Sequence, residues 1–172
     1  MILLGCESAD AKAAARRLLS LALEEGYGLT AIPPISFGPL GKPFFPDCSH
    51  VSFNLSHSGP YALCAVGRAA VGVDIEALRP RSTALPGRVL TPDEYRWYEA
   101  QGADWPAFYT LWTRKESWCK QQGRGVARPQ AVRPPLPGEE GRGPAVTGLS
   151  GSAWIGAICS EESAAPLRWV EV

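Results

Sequence analysis

A chain of 172 residues, 45% apolar, 20% charged and 9% aromatic, has the composition of one folded domain or two small joined halves, which excludes a string of modules and a mainly disordered chain. Seventeen Lys and Arg balance seventeen Asp and Glu, so there is no global field of the kind that non-specific nucleic-acid binders use, and an anionic ligand must be held by a local pocket. No run approaches the roughly 20 apolar residues of a membrane helix, and five scattered cysteines without a C-x-x-C pair read as reduced thiols of a soluble, cytoplasmic protein.

The opening Met-Ile-Leu-Leu-Gly-Cys6 is too short and lacks the basic flank of a lipidated leader, so Ile2 to Leu4 reads as a first strand. Ser8 or Asp10 then caps a helix with an apolar stripe through Ala11, Ala14 or Ala15, Leu18, Leu19, Ala22 and Leu23, ended by Gly26. Ile32 to Pro46 is rich in Pro and Gly, with a short strand at Ile35 to Phe37 and a turn at Gly38 to Pro43. Val51 to Leu55, Tyr61 to Val66 and Val71 to Ile75 read as three strands. Thr91-Pro92-Asp93-Glu94 opens a helix with a capping box, and a second helix runs from Asp104 or Trp105 to about Gln122, where Gly123 stops it. Residues 126–144 form a loop rich in Pro, Gly and Arg. Strands at Ala153 to Cys159 and Leu167 to Val172, with a partner near Ala145 to Leu149, close the chain.

Three clusters carry chemistry. In Gly72-Val73-Asp74-Ile75-Glu76, alternation on a strand puts both carboxylates on one face; they repel unless a cation sits between them, and hard oxygen ligands suit Mg²⁺. On the later helix, Phe108, Trp112, Glu116 and Lys120 recur every fourth residue, a stripe half aromatic and half charged. If that helix packs over the end of the Asp74 strand, Glu116 adds a third oxygen ligand and Lys120 a counter-charge for phosphate. Phe53-Asn54-Leu55-Ser56-His57-Ser58-Gly59 reads as a strand running into an anion-holding turn. Neighbours on an extended chain point apart, so Ser56 and His57 are not a nucleophile-base pair. His57 can also be structural, His50 is read as structural outright, and Lys42 in its Gly-Lys-Pro turn is a further candidate.

The ordered set Gly41-Lys42-Pro43, Phe53 to Gly59, Gly72 to Glu76, and Trp112-Thr-Arg-Lys-Glu-Ser-Trp-Cys-Lys120 followed by Gln121-Gln-Gly-Arg-Gly125 closely resembles the 4'-phosphopantetheinyl transferases, in particular the pseudo-dimeric type that serves peptide and polyketide synthetases. The resemblance covers residues 41 to 125, about half the chain. It implies two similar α+β halves, residues 1–70 on the nucleotide side and 71–172 on the metal and catalytic side, with coenzyme A in the cleft between them. It makes Asp74, Glu76 and Glu116 ligands of Mg²⁺, with Mn²⁺ as the alternative ion, and Lys120 and Lys115 contacts to the pyrophosphate. Ser56 and His57 become the holders of the ribose 3'-phosphate, and Gly41 and Lys42 the edge of the nucleotide site. The implied reaction moves the phosphopantetheine arm to a serine of an apo acyl, peptidyl or polyketide carrier protein, in fatty acid or secondary metabolite biosynthesis, and releases adenosine 3',5'-bisphosphate.

A serine hydroxyl is a poor nucleophile and a pyrophosphate is shielded by its charge, so the catalytic roles expected are proton acceptance by Glu116 and charge neutralisation by Lys120 with the metal. Against the family's usual pattern the first half is shortened, with Arg16 and Arg17 left of its basic cluster, and Arg114, Arg124 or Arg128 would steer an acidic carrier. Two joined halves suit a monomer, with neither nucleic acid nor membrane as partner. The alternatives are a metal-dependent phosphohydrolase using the same carboxylates on a nucleotide pyrophosphate, and a catalytically silent relative that only binds carrier proteins.

Overall fold

The computed structural model describes residues 1–139, 143–163 and 166–172; the loop expected at 126–144 therefore lies partly outside the described residues. The fold is α+β, with nine strands and four α-helices among the described residues. Strand β1 (Ile2–Glu7) is longer than expected and leads into helix α1 (Ala11–Tyr27), whose first turn is capped by Asp10 Oδ1 accepting from the Ala13 N–H at 2.9 Å. The helix passes through Gly26 and stops instead at Gly28, which takes the left-handed conformation with φ 66°. A Cβ at Gly26 would lie 2.6 Å from Ile2 Cδ1, the movable end of a side chain, so the last turn of α1 rests close to β1.

The short strands β2 (Ser36–Phe37) and β3 (Pro43–Phe44) pair as a hairpin around the Gly-Lys-Pro turn. Strands β4 (Ser52–Ser58), β5 (Tyr61–Gly67) and β6 (Val71–Ala77) follow. Helix α2 (Leu85–Val89) is a single turn that carries no sequence signal beyond Pro86. Helix α3 (Pro92–Ala100) has the expected capping box, Thr91 Oγ1 accepting from the Glu94 N–H and Glu94 Oε2 from the Thr91 N–H. Helix α4 (Trp105–Gln121) is capped by Asp104, and Gly123 turns the chain away at φ 72°. A 3-10 turn at Pro129–Ala131 precedes β7 (Ala145–Ser150), β8 (Trp154–Ser160) and β9 (Arg168–Trp169).

Besides the two-stranded β2–β3 hairpin, two larger sheets result, in the orders β4-β5-β1-β9 and β6-β8-β7. β1, β4 and β5 pair antiparallel, and β9 returns from the end of the chain to lie parallel to β1. Alternation on the first sheet divides its side chains. Leu4, Cys6, Cys64 and Val66 face the apolar stripe of α1, while Leu3, Leu63 and Ala65 face Val71, Val73, Ile75 and Ile158 of the second sheet. Helix α4 covers the other face of the second sheet, lying against β6 and β8. Its approach is set by Gly72: a Cβ there would stand 2.1 Å from the Ser117 carbonyl oxygen and 2.3 Å from the Gln121 nitrogen. No helix among the described residues is long and apolar enough to cross a membrane, and Cys6, Cys64, Cys119 and Cys159 are buried free thiols.

Candidate active site at the seam between the two sheets

β4 and β6 are the facing edge strands of the two sheets, and they are joined by side chains instead of a backbone ladder. In β6 the residues Val71, Val73 and Ile75 turn their backbone groups away from β8, and an open edge of this kind must be satisfied somewhere. The Val73 N–H donates to Asn54 Oδ1 at 2.8 Å and the Ile75 N–H to Ser56 Oγ at 3.3 Å. The Val71 carbonyl accepts from Lys42 Nζ and the Val73 carbonyl from Lys120 Nζ, each at 3.2 Å. One strand edge thus gathers Lys42, Asn54, Ser56 and Lys120 from three different elements.

The carboxylates stand beside them. Lys120 Nζ lies 2.6 Å from Asp74 Oδ1 and 3.2 Å from Ser56 Oγ, and Ser56 donates to the same Asp74 oxygen at 2.9 Å. With the Val73 carbonyl this uses all three protons of the ammonium. Ser58 donates to Glu76 Oε2 at 2.8 Å. Burial pushes the Asp74 carboxyl above the usual range, against the pull of Lys120 and Ser56, with Glu76 raising it further. Burial likewise raises Glu116, and the charges of Asp74 and Glu76 add to it while Lys120 opposes. Glu116 therefore shares a field with both strand carboxylates.

The three acids are not preassembled as an ion cage: among the described residues no three His, Cys, Asp or Glu side chains are gathered to hold a metal. The chemistry of the donors nevertheless fits a divalent cation. Asp74 Oδ2 is fully buried with no hydrogen-bond partner, a costly state for a carboxylate oxygen, and two further carboxylates repel it. Beside them opens a cavity of about 300 Å³ bounded by Gly41, Lys42, Asn54, Glu116, Lys120 and Arg124. A larger cavity of about 650 Å³, mostly apolar and running under the β2–β3 hairpin, meets it at Leu40, Lys42 and Gly123.

Several expectations change. β4 continues to Ser58, so Ser56 and His57 belong to a strand and not to an anion-holding turn; Ser56 points inward and is saturated, while His57 is exposed on the other side. They do not form one site. Lys115 is wholly buried and points away from the cavity: its Nζ is 2.7 Å from Glu94 Oε1 and donates to the carbonyls of Pro129 and Val132. It anchors α3 and the following loop to α4 and cannot touch a ligand in the cleft. Arg114 is likewise buried, donating to the carbonyls of Pro135 and Val146, so it is unavailable to steer a partner; Arg124 and Arg128 are exposed. Lys42 lines the cavity, and its ammonium is directed at the Gln121 carbonyl, 2.7 Å away, at the C-terminus of α4. Asn54 and Ser58 were not foreseen as site residues. Their signal is the alternation Asn54, Ser56, Ser58, which becomes readable once the strand is carried three residues further.

Comparison with known proteins adds to this geometry. Residues 70–139 match the family model of the 4'-phosphopantetheinyl transferase superfamily. A 4'-phosphopantetheinyl transferase of Bacillus subtilis is 39% identical over 116 residues, covering 65% of this chain and 51% of that protein. The 4'-phosphopantetheinyl transferase Sfp of Bacillus subtilis strain 168 is 40% identical over 91 residues, 52% of this chain and 41% of its own length. The 4'-phosphopantetheinyl transferase AcpT of Salmonella typhi is 37% identical over 129 residues, 72% of this chain and 64% of its own. The chain thus spans about half the length of the curated relatives it matches.

Proposed function

Because the chain belongs, through residues 70–139, to the 4'-phosphopantetheinyl transferase superfamily, we propose that it moves the phosphopantetheine arm of coenzyme A to a serine of an apo acyl or peptidyl carrier protein. The observation that carries this reading is one cavity lined by Glu116, Lys120, Lys42 and Arg124, with Asp74 paired to Lys120 and the charges of Asp74 and Glu76 both acting on Glu116. Carboxylates suited to a cation stand next to ammonium and guanidinium groups suited to phosphate.

Asp74, Glu76 and Glu116 would hold Mg²⁺ or Mn²⁺, which when bound would neutralise charge on the pyrophosphate. Lys120, at the edge of the same cavity, stabilises the negative charge that accumulates on the leaving phosphate. Glu116 accepts the proton of the carrier serine; a carboxylate raised by burial and like charges is a stronger base than one in water. The serine oxygen forms a bond to the phosphorus bearing the pantetheine arm, the bond from that phosphorus to the bridging oxygen breaks, and adenosine 3',5'-bisphosphate leaves. Gly41 and Lys42 bound the nucleotide. Residues 1–70 contribute Lys42, Asn54 and Ser56, and residues 71–172 contribute the acids and Lys120, so the seam is the cleft between two halves. The reading includes a cytoplasmic location and a monomer.

The test is mass spectrometry of apo acyl and peptidyl carrier proteins incubated with the protein, coenzyme A and Mg²⁺. A gain of one phosphopantetheine on serine is expected. Coenzyme A cleaved without carrier, or carrier bound without a mass gain, would replace this reading with a phosphohydrolase or a silent relative.

A further inference from the structure

Asn54 stands on β4 two residues before Ser56, is only 6% exposed, and lines the 300 Å³ cavity together with Glu116 and Lys120. Its amide cannot turn over. The Val73 N–H bonds Oδ1 at 2.8 Å, which fixes the opposite group, Nδ2, as the one facing elsewhere. Among the described residues no carbonyl or side chain accepts from that Nδ2, and it is not among the fully enclosed polar atoms lacking a partner, so it reaches the cavity. A buried amide whose acceptor is committed and whose donor nitrogen reaches a cavity is built to bind an acceptor there.

The cavity's other donors narrow what that acceptor is. Lys42 and Lys120 share their protons with backbone carbonyls and Asp74, and Arg124 is exposed at the rim. Lys42, Lys120 and Arg124 outnumber Glu116 on the wall of this small space and favour an anion, with Lys120 already paired to Asp74. A fixed neutral donor beside these cations sets where the anion's oxygen rests without adding charge. We infer that Asn54 is a ligand-binding residue whose Nδ2 donates to a phosphate oxygen of the bound nucleotide. The inference rests on the reading of the cavity as a coenzyme A site and deepens it.

Asn54→Asp separates binding from scaffolding, because a carboxylate still accepts from the Val73 N–H but no longer donates. A further buried carboxylate costs stability, so the melting temperature is expected to fall by several degrees with the fold retained, while the Kd for coenzyme A measured calorimetrically rises about tenfold or more. In ¹H–¹⁵N spectra of the wild-type protein, coenzyme A should shift the Asn54 side-chain amide pair, identified by its loss in the variant, while adenosine without phosphates should not. That spectrum needs no substitution and is free of the charge that Asp introduces. An unmoved Asn54 pair under saturating coenzyme A overturns the inference, as does equal movement by adenosine or a variant that binds as tightly as wild type. Failure of the wild-type protein to bind coenzyme A at all would instead remove the reading of the cavity.

Discussion

Lys120 and Asp74, 46 residues apart in sequence, form a 2.6 Å ion pair in which the carboxylate is almost fully enclosed and the ammonium about a quarter exposed. Removing the ammonium leaves an uncompensated buried acid. We expect Lys120→Met to lower stability by about 2 kcal/mol, below the cost of breaking a fully buried pair because the lysine is partly solvated. Urea unfolding at pH 7 measures it. Carrier modification should fall far below wild type in the same variant, and a fully active Lys120→Met protein would end the role given to this residue.

Gly72 allows α4 to meet β6. A methyl group there meets the Ser117 oxygen and the Gln121 nitrogen, both backbone atoms that cannot rotate aside. Gly72→Ala should therefore cost about 1–3 kcal/mol, as overpacking does, and displace Glu116 and Lys120 from the strand carboxylates. Thermal unfolding and the transfer assay should decline together; a variant with wild-type stability would mean that the helix can shift freely.

The Lys115–Glu94 pair is more deeply buried than Lys120–Asp74 and also closes the capping box of α3. Lys115→Met alone should cost about 3–5 kcal/mol, since Glu94 keeps a buried charge. Lys115→Met with Glu94→Gln should be the more stable of the two variants. Limited proteolysis should cut the loop at residues 129–136 faster in the single variant, because the Pro129 and Val132 carbonyls lose their donor.

Glu116 gives a pH signature. Its folded carboxyl titrates above the unfolded value, so the fold favours the protonated form, and that stabilisation is lost as pH rises through the folded pKa. Glu116→Gln stays neutral throughout. In metal-free buffer the variant should therefore gain stability relative to wild type from pH 4 toward pH 8, by thermal unfolding, while its transfer activity is lost. A difference that shrinks as pH rises would contradict the sign, and near wild-type transfer would remove Glu116 as proton acceptor.

Much of the fold and part of the site could be read locally. Caps at Asp10, Thr91 and Asp104, the apolar stripe of α1 and the alternation of β6 depend only on neighbours a few residues away, so composition and period specify them. The same periods put Asp74 with Glu76 and aligned Glu116 with Lys120. Which partner each charge meets depends on contacts between distant segments. Lys115 and Glu116 are adjacent on a helix and so point about 100° apart. Only the packing of α4 on Gly72 sends one to Glu94 and the other toward Asp74. The saturation of Ser56, the outward turn of His57 and the fixed amide of Asn54 likewise follow from the meeting of two sheet edges, whose unpaired backbone groups demand partners that no single stretch of chain can supply.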